Sequence, residues 1–307
     1  MKKFESKINV DGLITSAADA RVPVMDRGFL YGDSIYEVFR TYHGIPLFFD
    51  EHWDRLRRSA KRVHMKLGFS KEQLTQKIKE TVEMTYAPDL GQDVYVRYVV
   101  TRGEGPIDLF PSPALSTRYV ILVRELLPWS SDFYSRGLSI AISETRRNSI
   151  DALDPNIKGG NYLNNVLGVI EARAFGADDC LMLNASEFVT ETSNSNIFFV
   201  IDGRLVTPSQ NTGNLMGITK AAVHKACLEN GLQTGEREIA ASELASATEC
   251  FVTSATREVM PVLSIRVADG YMVEFPEGGG EVTRQVRSYY KVHVDKYLQE
   301  HAHFSLF

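Results

Sequence analysis

TETSNSNIFFVIDGRLVTPSQNTGNLMGITK, residues 190–220, changes character several times in a short span. It opens on a polar turn of small residues that carries one carboxylate, Glu191. An apolar strand, SNIFFVID, follows directly, and after Gly203 comes a second strand, RLVTP. The span closes on a helix start at Gly217. Each piece has an ordinary explanation: Ser and Asn satisfy backbone groups in turns, and a glycine can simply precede a helix. Yet a helix start leaves the N–H groups near Ile218 and Thr219 without intrahelical partners, ready to receive an anion. The order carboxylate, strands, anion-ready helix constrains the chain more than any single piece.

Upstream, NIKGGNYLNNVLGVIEARAFG (156–176) contains a helix, because Leu163, Val166, Leu167 and Ile170 recur at helical spacing and Gly176 suits a left-handed stop. Asn161 stands where it can cap the start. Lys158 lies outside this helix beside two glycines and, taken alone, reads as a solvated loop lysine. The first third mixes strands and helices. INVDGLI is a hairpin signal, and SIYEVFRTYHGIPLFF is two strands joined at His43-Gly44. A helix starts with Asp50 as its cap; in a second, Ser70 and Gln73 form a capping box and Phe69 and Leu74 a hydrophobic staple. DVYVRYVVTRG and RYVILVREL are further strands. PWSSDFYS (128–135) is polar and turn-prone, and we expect it to link a smaller α/β domain (1–127) to a larger one (136–307). The larger part holds short strands, a helix from Gly217 to Gly231, a hairpin at Asp269-Gly270 and a last helix through VTRQVRSYYKVHVDKYLQEH.

The 307 residues are 44% hydrophobic and 24% charged, which is ample for one large or two smaller cores. A net charge of −5 offers no broad basic field for a nucleic-acid backbone. The run RLRRSAKR (55–62) reads as a solvated helix face. Cys180, Cys227 and Cys250 are scattered and read as buried small hydrophobes in a reducing compartment. MKKFESKINVDG lacks the apolar run of a signal peptide and no stretch reaches membrane-spanning length, so we expect a cytoplasmic protein without membrane partners. Walker, GxGxxG, HExxH and GxSxG signatures are missing, and the seven histidines lack metal-ligand spacing, so no metal is expected.

The 190–220 segment resembles the hallmark motif of the class IV aminotransferases, the fold-type IV pyridoxal-phosphate enzymes. Glu191, Ser193, Asn196, Ile197, Phe198, Thr207, Gly217, Ile218 and Lys220 fill every position. The likeness extends to DRGFLYGDSIYEVFR (26–40), EHWDRLRRSA (51–60), KGGNYLNN (158–165) and FVTSATREVMPV (251–262). It implies a mixed α/β (α+β) chain of two domains, the larger with a β-barrel-like core. It also implies pyridoxal 5'-phosphate as cofactor and Lys158 as the catalytic residue that forms its Schiff base. A neutral, partly desolvated amine can attack and then carry the proton. Glu191 would face the pyridine nitrogen and strengthen the electron sink. Tyr162 would bond the phenolic oxygen. Arg55 would bind the phosphate with the N–H groups of Ile218 and Thr219 beside Gly217, and Ser254 and Ala255 would complete that turn. Asn194, Ser195 and Leu215 join the cofactor contacts.

For substrate, branched-chain enzymes resemble this sequence at Tyr31, Tyr36, Arg40, Tyr95 and Arg97, with Ala255 and Thr256 at the turn. Tyrosine hydroxyls and arginines suit carboxylates. D-amino acid aminotransferases usually carry an Arg-x-His pair after TRG, where this chain has Ile107 and Leu109. We therefore expect ping-pong transfer between branched-chain L-amino acids and 2-oxoglutarate, in a homodimer or larger homo-oligomer. The alternatives are a D-amino acid or (R)-amine transaminase of atypical specificity, aminodeoxychorismate lyase and, last, a non-enzymatic binding protein.

Overall fold

The computed structural model describes residues 2–268 and 270–307, so Asp269 of the expected hairpin turn lies outside the described residues. The chain divides into two compact units. The first contains residues 1–127, 157–161 and 296–307; the second contains 128–156 and 162–295.

The first unit runs β1 (Lys7–Val10), β2 (Leu13–Ser16), α1 (Arg27–Tyr31), β3 (Ser34–Tyr42), β4 (Ile45–Pro46), α2 (Phe49–Arg62), α3 (Lys71–Glu83), α4 (Ala87–Leu90), β5 (Val94–Thr101) and β6 (Arg118–Glu125). Its strands form an antiparallel sheet in the order β2-β1-β6-β5-β3-β4. Alternation in β5 sends Val94, Val96 and Tyr98 into the core with Phe39, Leu56, Leu74 and Ile78, and turns Tyr95 and Arg97 to the other face. The α3 capping box is present, with Ser70 Oγ accepting from Gln73 N and Gln73 Oε1 from Ser70 N. The start of α2 differs from expectation. Phe48, left-handed at φ +53°, precedes the helix without a side-chain cap, and Asp50 lies inside the first turn. The Phe48 ring packs 4.8 Å from Tyr297, so aromatic packing sets this entry where a cap was expected. Within RLRRSAKR, Arg57, Arg58, Lys61 and Arg62 are exposed, whereas Arg55 is buried.

The second unit begins with α5 (Ser131–Ser135), capped by Ser130, so residues 128–135 form part of a folded unit and not a separate linker. The reason is aromatic: Trp129 stacks edge-on with Phe133, while Phe133 and Tyr134 pack on the core. There follow β7 (Leu138–Ile142), α6 (Leu163–Ala174), β8 (Asp179–Leu183), β9 (Val189–Thr192), β10 (Asn196–Ile201), β11 (Arg204–Pro208), α7 (Ile218–Glu229), β12 (Thr234–Arg237), β13 (Ala247–Ser254), β14 (Glu258–Ala268), β15 (Tyr271–Glu274) and α8 (Glu281–Glu300). Among the described residues the sheet order is β12-β11-β10-β13-β14-β7-β8-β9, with β15 added to β14. A bridge between Phe188 and Ala240, with Val189 N donating to Ile239 O at 2.8 Å, joins the β9 end to the segment after β12. The sheet thus curls into the barrel-like form expected. Ile140, Leu181, Ile197, Phe199, Val252 and Met260 fill its interior.

One local expectation changes here. Asn161 does not cap α6; its amide donates to Gly32 O at 3.2 Å. The apolar stripe of α6 is exposed, Leu163 at 70% and Ile170 at 61%, whereas Asn165, Gly168 and Ala172 face inward. No helix of the described residues is long and apolar enough to cross a membrane.

Candidate functional site

In the first unit, Lys158 is fixed by its backbone. Tyr36 N donates to Lys158 O at 2.9 Å, Gly160 N to Ser34 O at 3.0 Å and Lys158 N to Ser59 Oγ at 3.2 Å. Residues 158–160 thus run as a short extra rung beside the start of β3, bridged at Ile35 and Gly159. The two glycines owe their place to this approach: a Cβ on Gly160 would collide with Ser34 Oγ, and one on Gly159 would lie 3.2 Å from Ser34 O. The Lys158 side chain leaves the rung with its Nζ 4.6 Å from the Tyr36 ring centroid, and Arg97 Cζ lies 4.0 Å from the same centroid. One buried aromatic ring therefore meets two cations, an attractive arrangement for each. Arg40 and Tyr95 occupy the same sheet face by strand alternation, with Arg40 on Tyr42 and Arg124 on Tyr95. Tyr31 ends α1, with Arg27 Cζ over its ring.

Arg55 is buried on α2, the helix whose Ser59 holds Lys158 N. Its Nε and Nη2 donate to Glu37 Oε1 and Oε2, both at 2.7 Å, and His52 Nδ1 lies 2.7 Å from Glu37 Oε2. Burial would raise the Glu37 pKa, but the Arg55 charge and the hydrogen bonds from Arg55 and His52 win and bring it to about 2. Burial in turn holds His52 below its ordinary value. A carboxylate can only accept, so a neutral His52 carries its proton on Nδ1.

In the second unit, Glu191 lies within β9, which the sequence had presented as a turn. It is 5% exposed. Arg147 holds its Oε1, from Nε at 3.0 Å and Nη2 at 2.8 Å, and Leu215 N donates to Oε2 at 3.1 Å. Arg147 Nη1 also reaches Asn164 Oδ1, 3.2 Å away, tying the head of α6 to this carboxylate. Tyr162 stands at that head, before Leu163. Asn165 Nδ2 holds Ser193 O and Asn196 Nδ2 holds Leu215 O, both at 2.8 Å, so the 193–195 turn and the 215–217 segment are braced from neighbouring elements. A Cβ on Gly217 would strike Asn196 Oδ1. No side chain caps α7 at Gly217, which leaves the first N–H groups, those of Ile218 and Thr219, to another partner. Ser254 ends β13, and Ala255 and Thr256 open the half-buried turn that leads to β14. Asn194 is exposed and Ser195 is buried. Lys220, the other lysine of the motif, is buried with Nζ donating to Pro208 O at 2.8 Å, a structural position.

This chemistry fits a pyridoxal phosphate. A buried carboxylate held in place by an arginine suits a protonated ring nitrogen, and it still has acceptor positions to offer. An uncapped helix start suits a phosphate. Arg147, Glu37 and His52 escaped the sequence reading. A charged residue at a core-facing position of the alternating strand SIYEVFR was the available sign for Glu37; for Arg147 there was none beyond its neighbour Arg146.

The sequence profile of the family Amino-transferase class IV matches residues 34–265. A Methanocaldococcus jannaschii protein provisionally named a branched-chain-amino-acid aminotransferase is 33% identical over 285 residues, covering 93% of this chain and 95% of its own. The D-alanine aminotransferase of Bacillus licheniformis is 32% identical over 262 residues, covering 84% and 88%. Among solved structures, the T.th. branched-chain amino acid aminotransferase complexed with N-(5'-phosphopyridoxyl)-L-glutamate superposes with a TM-score of 0.82 at 26% identity, covering 99% of this chain and 98% of that one. With a family profile matched over most of its length and relatives aligned nearly end to end, the chain belongs to the class IV aminotransferases, and it is an aminotransferase enzyme.

Proposed function

We propose that this aminotransferase uses pyridoxal 5'-phosphate to move an amino group between branched-chain L-amino acids and 2-oxoglutarate by a ping-pong cycle. Bound, the cofactor supplies an aldehyde for amines and a protonated ring that accepts electron density from the substrate carbon. Lys158 Nζ is the group that bonds the cofactor and, once released, carries the proton from the substrate carbon. The Arg97 guanidinium lies over the same Tyr36 ring as the amine. Glu191, kept in place by Arg147 and Leu215, holds the ring nitrogen. The N–H groups of Ile218 and Thr219, the turn at Ser254 and Ala255, and Arg55 hold the phosphate, with Asn194, Ser195 and Leu215 around the cofactor. Tyr162 meets the phenolic oxygen.

The observation that carries the substrate reading is the cluster of Tyr36, Arg40, Tyr95 and Arg97 on one sheet face, with Lys158 Nζ over Tyr36. It offers two guanidiniums for a second carboxylate and aromatic surface for an aliphatic side chain. Tyr31, Ala255 and Thr256 complete the substrate set. The glutamate adduct of the T.th. enzyme supports glutamate as donor. The D-alanine aminotransferase relative favours a second reading, transfer from D-amino acids. A half-reaction screen separates them: the enzyme is mixed with single L- or D-amino acids or (R)-amines and loss of its cofactor absorbance is followed. Reaction with L-leucine and L-glutamate is expected. Reaction with D-alanine or D-glutamate but not L-leucine defeats the branched-chain reading and leaves the aminotransferase standing. In the same assay Arg97→Ala should slow the glutamate half-reaction roughly tenfold or more beyond the leucine one, the loss of one charged hydrogen bond.

We further propose a homodimer or larger assembly, in which the exposed α6 stripe is one apolar surface available for burial.

A further inference from the structure

Behind the proposed phosphate turn lies a buried ion pair that the aminotransferase chemistry leaves unexplained. Asp179 is 2% exposed and Arg257 is 5% exposed. Arg257 Nη1 donates to Asp179 Oδ2 at 2.7 Å and to Ser195 Oγ at 3.1 Å. Ser195 Oγ donates in turn to Asn194 Oδ1 at 3.2 Å. The Arg257 backbone completes the arrangement: its N donates to Ser254 Oγ at 3.3 Å and its O accepts from Tyr134 OH at 3.2 Å. Arg257 Nε is buried and, among the described residues, has no acceptor. A guanidinium placed for packing alone would satisfy its Nε; this one leaves Nε unpaired while spending Nη1 on two acceptors from different elements.

We infer that Arg257 is a positioning residue for phosphate recognition, which locks the 193–195 turn to the 254–256 turn and sets the proton direction of the Ser195 hydroxyl. Asp179 offsets the guanidinium charge, so the contribution is alignment and not net attraction for an anion. By donating to Ser195 Oγ, Arg257 occupies an acceptor site there and leaves the hydroxyl proton directed to Asn194. The same residue's backbone engages Ser254 Oγ, so both turns move only together. The inference rests on the cofactor reading above, because those turns are the ones assigned to the cofactor and its phosphate.

The test uses the full chain stripped of cofactor and titrated separately with pyridoxal 5'-phosphate and with pyridoxal, with absorbance as the readout. The parent should prefer the phosphorylated probe. Arg257→Met should narrow that preference on the order of tenfold, through the phosphorylated probe alone. Arg257→Lys, which reaches one acceptor but not both, should recover part of it. In a Ser195→Ala background the Arg257→Met effect should shrink, a coupling that a bulk folding defect does not produce. Should the methionine variant not fold, Asp179→Asn with Arg257→Met removes both buried charges and is read in the same way. A preference equal to the parent's in the lysine variant and in whichever methionine variant folds overturns the inference alone, as does equal weakening toward both probes. A parent that binds neither probe overturns the cofactor reading and this inference with it.

Discussion

Replacing Glu37 by glutamine tests whether its buried carboxylate is the charge that holds Arg55. Burial opposes ionisation there, yet Arg55 and His52 take the carboxyl from an ordinary 4.5 to about 2. That difference contributes about 3 kcal/mol of stability at neutral pH. As pH falls below about 4.5 the unfolded chain binds a proton that the folded chain refuses until about pH 2. The contribution is therefore complete above pH 4.5 and lost on acidification, with roughly 1.4 kcal/mol gone by pH 3.5. Glu37→Gln cannot show that loss. It also strands the Arg55 guanidinium, and breaking a buried pair costs about 3–5 kcal/mol. The variant should thus lie below the parent at pH 7, with the two profiles converging toward acid. The assay is urea unfolding from pH 7 to 3.5 at fixed protein and cofactor concentration. Trp53 fluorescence in a Trp129→Phe background reports the first unit, because the chain has two tryptophans and Trp53 packs 6.3 Å from Phe69. Parallel profiles across that range would refute the reasoning.

Borohydride reduction followed by peptide mapping should place the cofactor on Lys158; a label on Lys220 ends that assignment. Glu191→Gln should leave the cofactor bound but slow single-turnover proton transfer, and Arg147→Met should slow the same step by releasing Glu191. An unchanged rate in both removes the electron-sink role. Sedimentation should show at least a dimer, which Leu163→Glu with Ile170→Glu should weaken, and an active monomer would contradict the assembly proposal.

The mixed α/β class was legible because strand alternation and turn chemistry are local signals; the return of residues 157–161 and 296–307 to the first unit was not, because it depends on contacts distant in sequence. The Ser70–Gln73 capping box was legible as a local signal too. Glu191 and the helix start at Gly217 stood in a recognisable order, although β9 was hidden by four short, mostly polar residues whose strand character comes from pairing with β8. Long-range ion pairs left little mark. Arg257 and Asp179 are 78 residues apart, and Arg147 and Glu191 are 44 apart, so no window of sequence displays either pair. The α6 stripe marked its helix correctly, and periodicity reports only that a face is apolar, not what covers it.

The shared ownership of the chain by the two units has a consequence for how the protein is born. The core of the first unit includes Leu306, whose N donates to Gly44 O at 2.9 Å, and Phe304 packs 5.5 Å from Phe49. The rung at Lys158 lies on the same unit's β3. A ribosome that has just finished Leu127 has made the whole six-stranded sheet, yet roughly 180 residues remain before Leu306 emerges. At typical rates of about 5–20 residues per second that interval is roughly 10–35 s. Throughout it the sheet waits with the Leu306 site open, and the second unit is translated in full before the first can close.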